Sequence, residues 1–166
     1  MINVRKLTIT AVLTCLAIII PLYFGVLSVQ IPPVFSATLA SHVPMFLAMF
    51  LGPFSAAFVG IGSALGFLMT KGAVIAARAA MHIFVGITGA VLLRKEVSFT
   101  KVVAITSPVH AILEAIVVIL LTGQIEFALL TVGVGTLIHH FIDGGFTAIF
   151  VKSLSKAGRK EFVVNK

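Results

Sequence analysis

Three stretches of otherwise apolar sequence carry ionisable side chains four residues apart: Arg78 and His82 in "RAAMH", His110 and Glu114 in "HAILE", and His139 and Asp143 in "HHFID". Residues at that spacing share one face of a helix, one turn apart, so each stretch predicts a helix presenting a polar pair. A guanidinium can neutralise an anion, imidazoles and carboxylates can pass a proton, and the same imidazoles can ligate zinc, nickel or cobalt. Hydrolysis finds no support, because no HExxH occurs and the pairs lie on separate segments. Ser41 beside His42 is an isolated adjacency rather than a nucleophile with its base. No glycine-rich phosphate loop is present, so no ATP site is expected.

The elements that must position these groups are membrane helices. Of the 166 residues, 60% are hydrophobic and 10% charged, and the mean hydropathy is +1.20, which marks an integral membrane protein. A bilayer offers the backbone no hydrogen-bond partners, and the long apolar runs lack the period of two that a barrel requires. An all-α protein is therefore expected, a compact bundle of six transmembrane helices forming one domain over residues 1–166. At about 20 residues per crossing the spans fall at roughly 7–27, 36–51, 54–70, 73–93, 101–122 and 127–151. The second and third are short and meet at "LGP", and a basic tail, 152–166, follows the sixth. The first apolar run is too long for a secretory signal and is read as a retained helix.

A net charge of +7 could suggest nucleic acid in a soluble chain, but here the basic residues gather at the ends of apolar runs. Arg5 and Lys6, then Arg94, Lys95 and Lys101, then Lys152, Lys156, Arg159, Lys160 and Lys166 all fall on one face of a six-span topology. The positive-inside rule places that face, with both termini, in the cytoplasm. Cys15 is the only cysteine, so no intramolecular disulfide or cysteine metal cluster is possible. Between the first two spans the uncharged "SVQIPPVFSATLASH" contains Pro32 and Pro33, which prevent regular helix. It reads as a lid over an outward-facing pocket or as a tight connection.

Arg78 is the one Lys or Arg within a span, at a cost of at least a few kcal/mol if unpaired. At about 1.5 Å per residue it lies one to two turns below the outer surface, at the level of Glu114, so the two are expected to pair. His82, His110 and His139 fall nearer the midplane and Asp143 deeper toward the cytoplasm. Two roles stand open for Glu114, ligand contact or counter-ion to Arg78. Any of the histidines could serve only to hold the bundle together. Asp143 reads as the structural partner of His139, and His42 as facing the outer pocket or capping at the interface.

The first span carries Ala11 and Cys15 four apart, and "GIGSALG" in the third carries Gly62 and Gly66, spacings that let helices approach closely. Short helices, the proline-broken outer loop and the small-residue face together resemble the substrate-binding S component of an energy-coupling factor (ECF) vitamin transporter. Specifically, "FSATLASHVPMFLAMFLGP" and "VIAARAAMHIFVGITGAVLL" look like the corresponding stretches of niacin-type components, with pantothenate-type components next. The resemblance implies a vitamin held in an outward-facing cavity. It also implies a separate transmembrane coupling subunit and two ATPase subunits that supply the energy. The family's AxxxA face that meets the coupling subunit maps here onto Ala11 and Cys15, the cysteine being a departure. The nickel and cobalt branch of the same group begins with a histidine, whereas this chain begins "MINV", which counts against metal uptake.

Nicotinate and pantothenate both carry a carboxylate, which a buried arginine can neutralise through paired hydrogen bonds. The residues expected at the substrate are therefore Arg78, His82, His110, Glu114 and His139, with a phenylalanine stacked on the ring. No cofactor, resident metal or nucleic-acid partner is expected, the chain is not an enzyme, and its location is the bacterial cell membrane. Two rivals remain at this stage. One is a membrane metalloenzyme using His139, His140 and Asp143 with a histidine from another helix; the other is a self-sufficient proton-coupled carrier.

Overall fold

A computed structural model describes residues 4–163. Lys166 of the basic tail and the first three residues of "MINV" lie outside them. The described chain is nearly all helical: α1 (Val4–Tyr23), α2 (Val43–Leu51), α3 (Pro53–Lys71), α4 (Ala73–Ala80), α5 (His82–Arg94), α6 (Phe99–Thr122) and α7 (Val134–Lys156). A π-helical segment, Phe127–Gly133, leads directly into α7. Among the described residues, five continuous helical stretches are long and apolar enough to cross a membrane: α1, α3, α4 with α5, α6, and the π segment with α7.

The second expected span differs from the sequence reading. Only Val43–Leu51 of residues 36–51 is helical, and its first part is strand. Ser28–Ile31 (β1) and Phe35–Thr38 (β2) form an antiparallel hairpin whose register pairs Ser28 with Thr38 and Ile31 with Phe35. The hairpin turns at Pro32-Pro33, joined by a cis peptide bond. The reason is local: "FSAT" places alternate side chains on two faces, and the prolines direct the chain back into pairing rather than into helix. The protein is thus helical with a small hairpin, rather than all-α.

Inside and outside are inverted relative to a soluble protein. Leu120 is 78% exposed and Phe54 65%, while His110, His140 and Asp143 are each 0% exposed. Apolar side chains cover the circumference, as a lipid solvent demands, and the interior holds an apolar core together with the buried polar groups. Helix α2 is the exception that lies inside: eight of its nine residues are buried. Its packing depends on small neighbours, since a Cβ on Gly86 of α5 would lie 3.0 Å from Ala56 Cβ and 3.3 Å from Met45 Cγ. Between α1 and α3 the glycines read from "GIGSALG" act as expected. A Cβ on Gly62 would come within 2.7 Å of Thr14 Cγ2, and one on Gly66 within 2.8 Å of the Ile18 carbonyl oxygen.

Two helix irregularities adjoin the polar residues. The α4–α5 stretch breaks at Met81, whose N–H bonds to the Arg78 carbonyl at 2.9 Å instead of continuing the α pattern. The π segment ends just before Thr136 and His139. At one end of the molecule Arg5 Nε lies 2.8 Å from Glu161 Oε1, so the two ends of the described chain share a face. Arg94 and Glu96 line a crevice there with Glu161.

Candidate functional site

The interior of the bundle holds a polar centre to which α3 to α7, the hairpin and the turn before α2 contribute atoms. Helix α4 supplies Arg78, whose Nη2 donates to Glu114 Oε2 of α6 at 2.6 Å. Its Nη1 donates to the Val34 carbonyl of the hairpin turn at 2.8 Å, and its guanidinium carbon stands 5.1 Å from the centre of the Phe35 ring. Glu114 Oε2 also accepts from Thr136 Oγ1 of α7 at 2.5 Å. This settles the pairing expected from helix depth, and it adds the hairpin as a third partner.

Asp143 organises the opposite side. Its Oδ1 accepts from the backbone N–H of Ala40 at 2.8 Å and its Oδ2 from that of His42 at 3.0 Å. Ala40 takes the uncommon φ of 66°, so the turn that starts α2 is tied by a carboxylate more than a hundred residues away. His139 Nε2 lies 3.0 Å from the Thr38 carbonyl and 3.1 Å from Asp143 Oδ2. Both of those atoms are acceptors, so Nε2 is the nitrogen that carries the proton.

All five histidines of the chain meet here. The ring of His42 stands 4.7 Å from His82, 4.8 Å from His110 and 4.3 Å from His139, centre to centre. His82 Nδ1 is 2.9 Å from Ser63 Oγ of α3. His110 Nδ1 is 3.1 Å from His140 Nδ1, and His140 Nε2 is 3.1 Å from Thr106 Oγ1. The direction of that last chain follows from its end. Thr106 Oγ1 donates its one hydrogen to the Val102 carbonyl at 2.8 Å, so it accepts from His140 Nε2. With both imidazoles neutral, His140 Nδ1 then accepts from His110 Nδ1, which puts the lone pair of His110 on Nε2, 3.3 Å from Glu114 Oε1.

Arg78, His82, Glu114 and His139 line a common cavity with Ser36, Ser41, His42 and Thr136. Of the residues expected at a substrate, only His110 stands behind this wall, its Nε2 3.3 Å from Glu114 Oε1. The cavity measures about 20 Å³, room for roughly one water molecule, and β2 with the turn after it forms one wall. Ala11 and Cys15 lie elsewhere, exposed on the outer face of α1. Sequence reasoning did not select Thr136, Ser63 or the central place of His42, and it named His140 only for the metalloenzyme rival. Thr136 stands three residues before His139 and so on the same helix face, a signal that could have found it. Ser63 was hidden in a stretch whose small residues read as packing.

Lipid-facing apolar helices closed around a polar cavity define a multi-pass membrane protein whose working groups are shielded from lipid. No protein-family model matches the chain, and no solved structure matches it. Over 93% of its length, however, it is 37% identical to the niacin transporter NiaX of Lactococcus lactis subsp. cremoris (strain MG1363), and the match spans 77% of that protein. The chain belongs to the NiaX family, in agreement with the resemblance read from its sequence. It is a multi-pass transport protein of the cell membrane and not an enzyme.

Proposed function

We propose that the chain is the substrate-binding S component of an ECF-type importer and that its cargo is niacin, as nicotinate or nicotinamide. The observation that carries this is a pair of buried nitrogens, Arg78 Nε and His82 Nε2, that have no hydrogen-bond partner among the described residues and belong to side chains lining the same cavity. A buried donor without a partner costs about 1–3 kcal/mol. A small ring bearing a carboxylate or amide oxygen offers the acceptor that Arg78 Nε lacks. The identity to a protein named as a niacin transporter supports the same cargo.

In this reading Arg78 holds the carboxylate or amide oxygen, and Glu114 keeps the guanidinium oriented. His82 and His139 form the polar wall around the ring, with Phe67 at its face and His110 behind the wall against Glu114. A pyridine ring is much larger than the present cavity, so β2 and its turn act as a lid that moves outward to admit it. Energy comes from a coupling transmembrane subunit and two ATPase subunits, with Ala11 and Cys15 on the face of α1 that the coupling subunit meets. Both termini lie in the cytoplasm, a reading supported by the basic residues Arg5 and Arg94 at the end of the molecule that Glu161 shares. Calorimetry on the purified chain with nicotinate, nicotinamide, pantothenate, riboflavin, thiamine, biotin and folate tests the assignment. Saturable heat with the first two is expected, and heat only with another vitamin reassigns the cargo.

A further inference from the structure

The five imidazoles converge more tightly than recognition of one small ring requires. His42, His82 and His110, respectively 3%, 2% and 0% exposed, each offer a nitrogen within 4.8 Å of those of the other two. On these same rings Nδ1 of His42 and Nε2 of His82 and of His110 have no hydrogen-bond partner among the described residues. The remaining nitrogens of two rings are engaged from behind, His82 by Ser63 and His110 by His140. Backing of that sort orients imidazoles toward a metal ion.

The charges point the same way. Among the buried groups Arg78 contributes one positive charge, and Glu114 and Asp143 two negative ones. Both carboxylates only accept from their hydrogen-bond partners, so with neutral imidazoles the centre is one positive charge short inside a membrane. The carboxylates stand beside the proposed ligands, with His110 Nε2 3.3 Å from Glu114 Oε1 and His42 Nδ1 3.1 Å from Asp143 Oδ2. A lone pair on His110 Nε2, facing the Glu114 carboxylate, suits a cation.

We propose that His42, His82 and His110 form a three-imidazole site for a divalent transition metal of the zinc class. Neutral imidazole is a favoured donor for such ions, and three protein ligands leave one position of a tetrahedral ion open. The metal and the vitamin readings are compatible, because a pyridine nitrogen is the same kind of donor as imidazole. Resting on the reading of nicotinate as cargo, the charges also close: the ion brings the centre to one positive charge, and the bound anion neutralises it. No spacing motif announces this site, since its ligands come from the start of α2, from α5 and from α6.

The test uses the full chain without an affinity tag of histidines, purified into lipid nanodiscs, stripped with a chelator and titrated with Co²⁺. One equivalent with the absorption of nitrogen-ligated tetrahedral cobalt, displaced by Zn²⁺, is expected. His82→Gln and His110→Gln should abolish the signal, and Ser63→Ala, which only removes support behind His82, should weaken affinity about 10–100-fold. Absence of saturable Co²⁺ uptake by the unaltered chain overturns the proposal whatever the variants do. Uptake unchanged in both glutamine variants overturns it too. Nicotinate binding measured on the same preparation keeps the two readings apart: vitamin without metal sinks this inference alone, and metal without vitamin sinks only the cargo assignment.

Discussion

Exchanging Arg78 and Glu114 together, as Arg78→Met with Glu114→Gln, separates a guanidinium that binds cargo from one that merely balances a carboxylate. Arg78→Met alone leaves Glu114 buried at 5% exposure with Thr136 as its remaining donor. Breaking a buried pair from one side typically costs about 3–5 kcal/mol, so this variant should be strongly destabilised. Removing both charges with residues of similar volume is often close to neutral or stabilising, and the double variant should regain most of the lost stability. Its binding should not recover. Hydrogen bonds to a charged group contribute about 1.5–3 kcal/mol, so loss of the one to Arg78 weakens nicotinate by roughly 10- to 100-fold. Thermal unfolding in nanodiscs reads the first quantity and calorimetry with nicotinate the second. If the double variant is as stable as the unaltered chain and binds nicotinate with unchanged Kd, Arg78 serves only Glu114 and the cargo assignment loses its anchor.

Three further outcomes are expected. Phe35→Ala removes a buried ring from between Arg78 and the pocket formed by Ala115, Val118, Ala128 and Val132. The loss should be about 3 kcal/mol or more and should raise hydrogen exchange in residues 28–38 above that of α3. Equal exchange in the two segments would show that the hairpin is not the element released. Asp143→Ala strips the acceptor from the amides of Ala40 and His42, at about 1–3 kcal/mol each; an unchanged melting temperature would deny Asp143 its role in setting the α2 turn. Cys15→Trp adds bulk to an exposed face of α1. It should leave vitamin binding by the isolated chain intact while abolishing uptake in cells, and normal uptake would remove Cys15 from the coupling face.

Much of the site was legible because its pattern is local. The pairs Arg78 with His82, His110 with Glu114 and His139 with Asp143 are set by helical spacing, and the cost of charge in lipid forces such faces toward one another. Membrane residence and the close contact at Gly62 and Gly66 follow from composition and side-chain size in the same way. The segment 36–51 was misread for a related reason. A short apolar run has no periodicity that separates a buried strand from a buried helix, and only pairing with Ser28–Ile31 decides the matter.

What tertiary structure alone decided is convergence. No spacing connects His42 with His82 and His110, or Asp143 with the amides of Ala40 and His42, because those distances depend on how α2 is buried between α5 and α7. The sequence by itself determined a multi-pass protein with charged faces that had to be hidden from lipid. The packed chain determined which atoms meet when they are hidden, since hydrogen-bond direction and orphaned nitrogens are properties of three-dimensional contact and not of order along the chain.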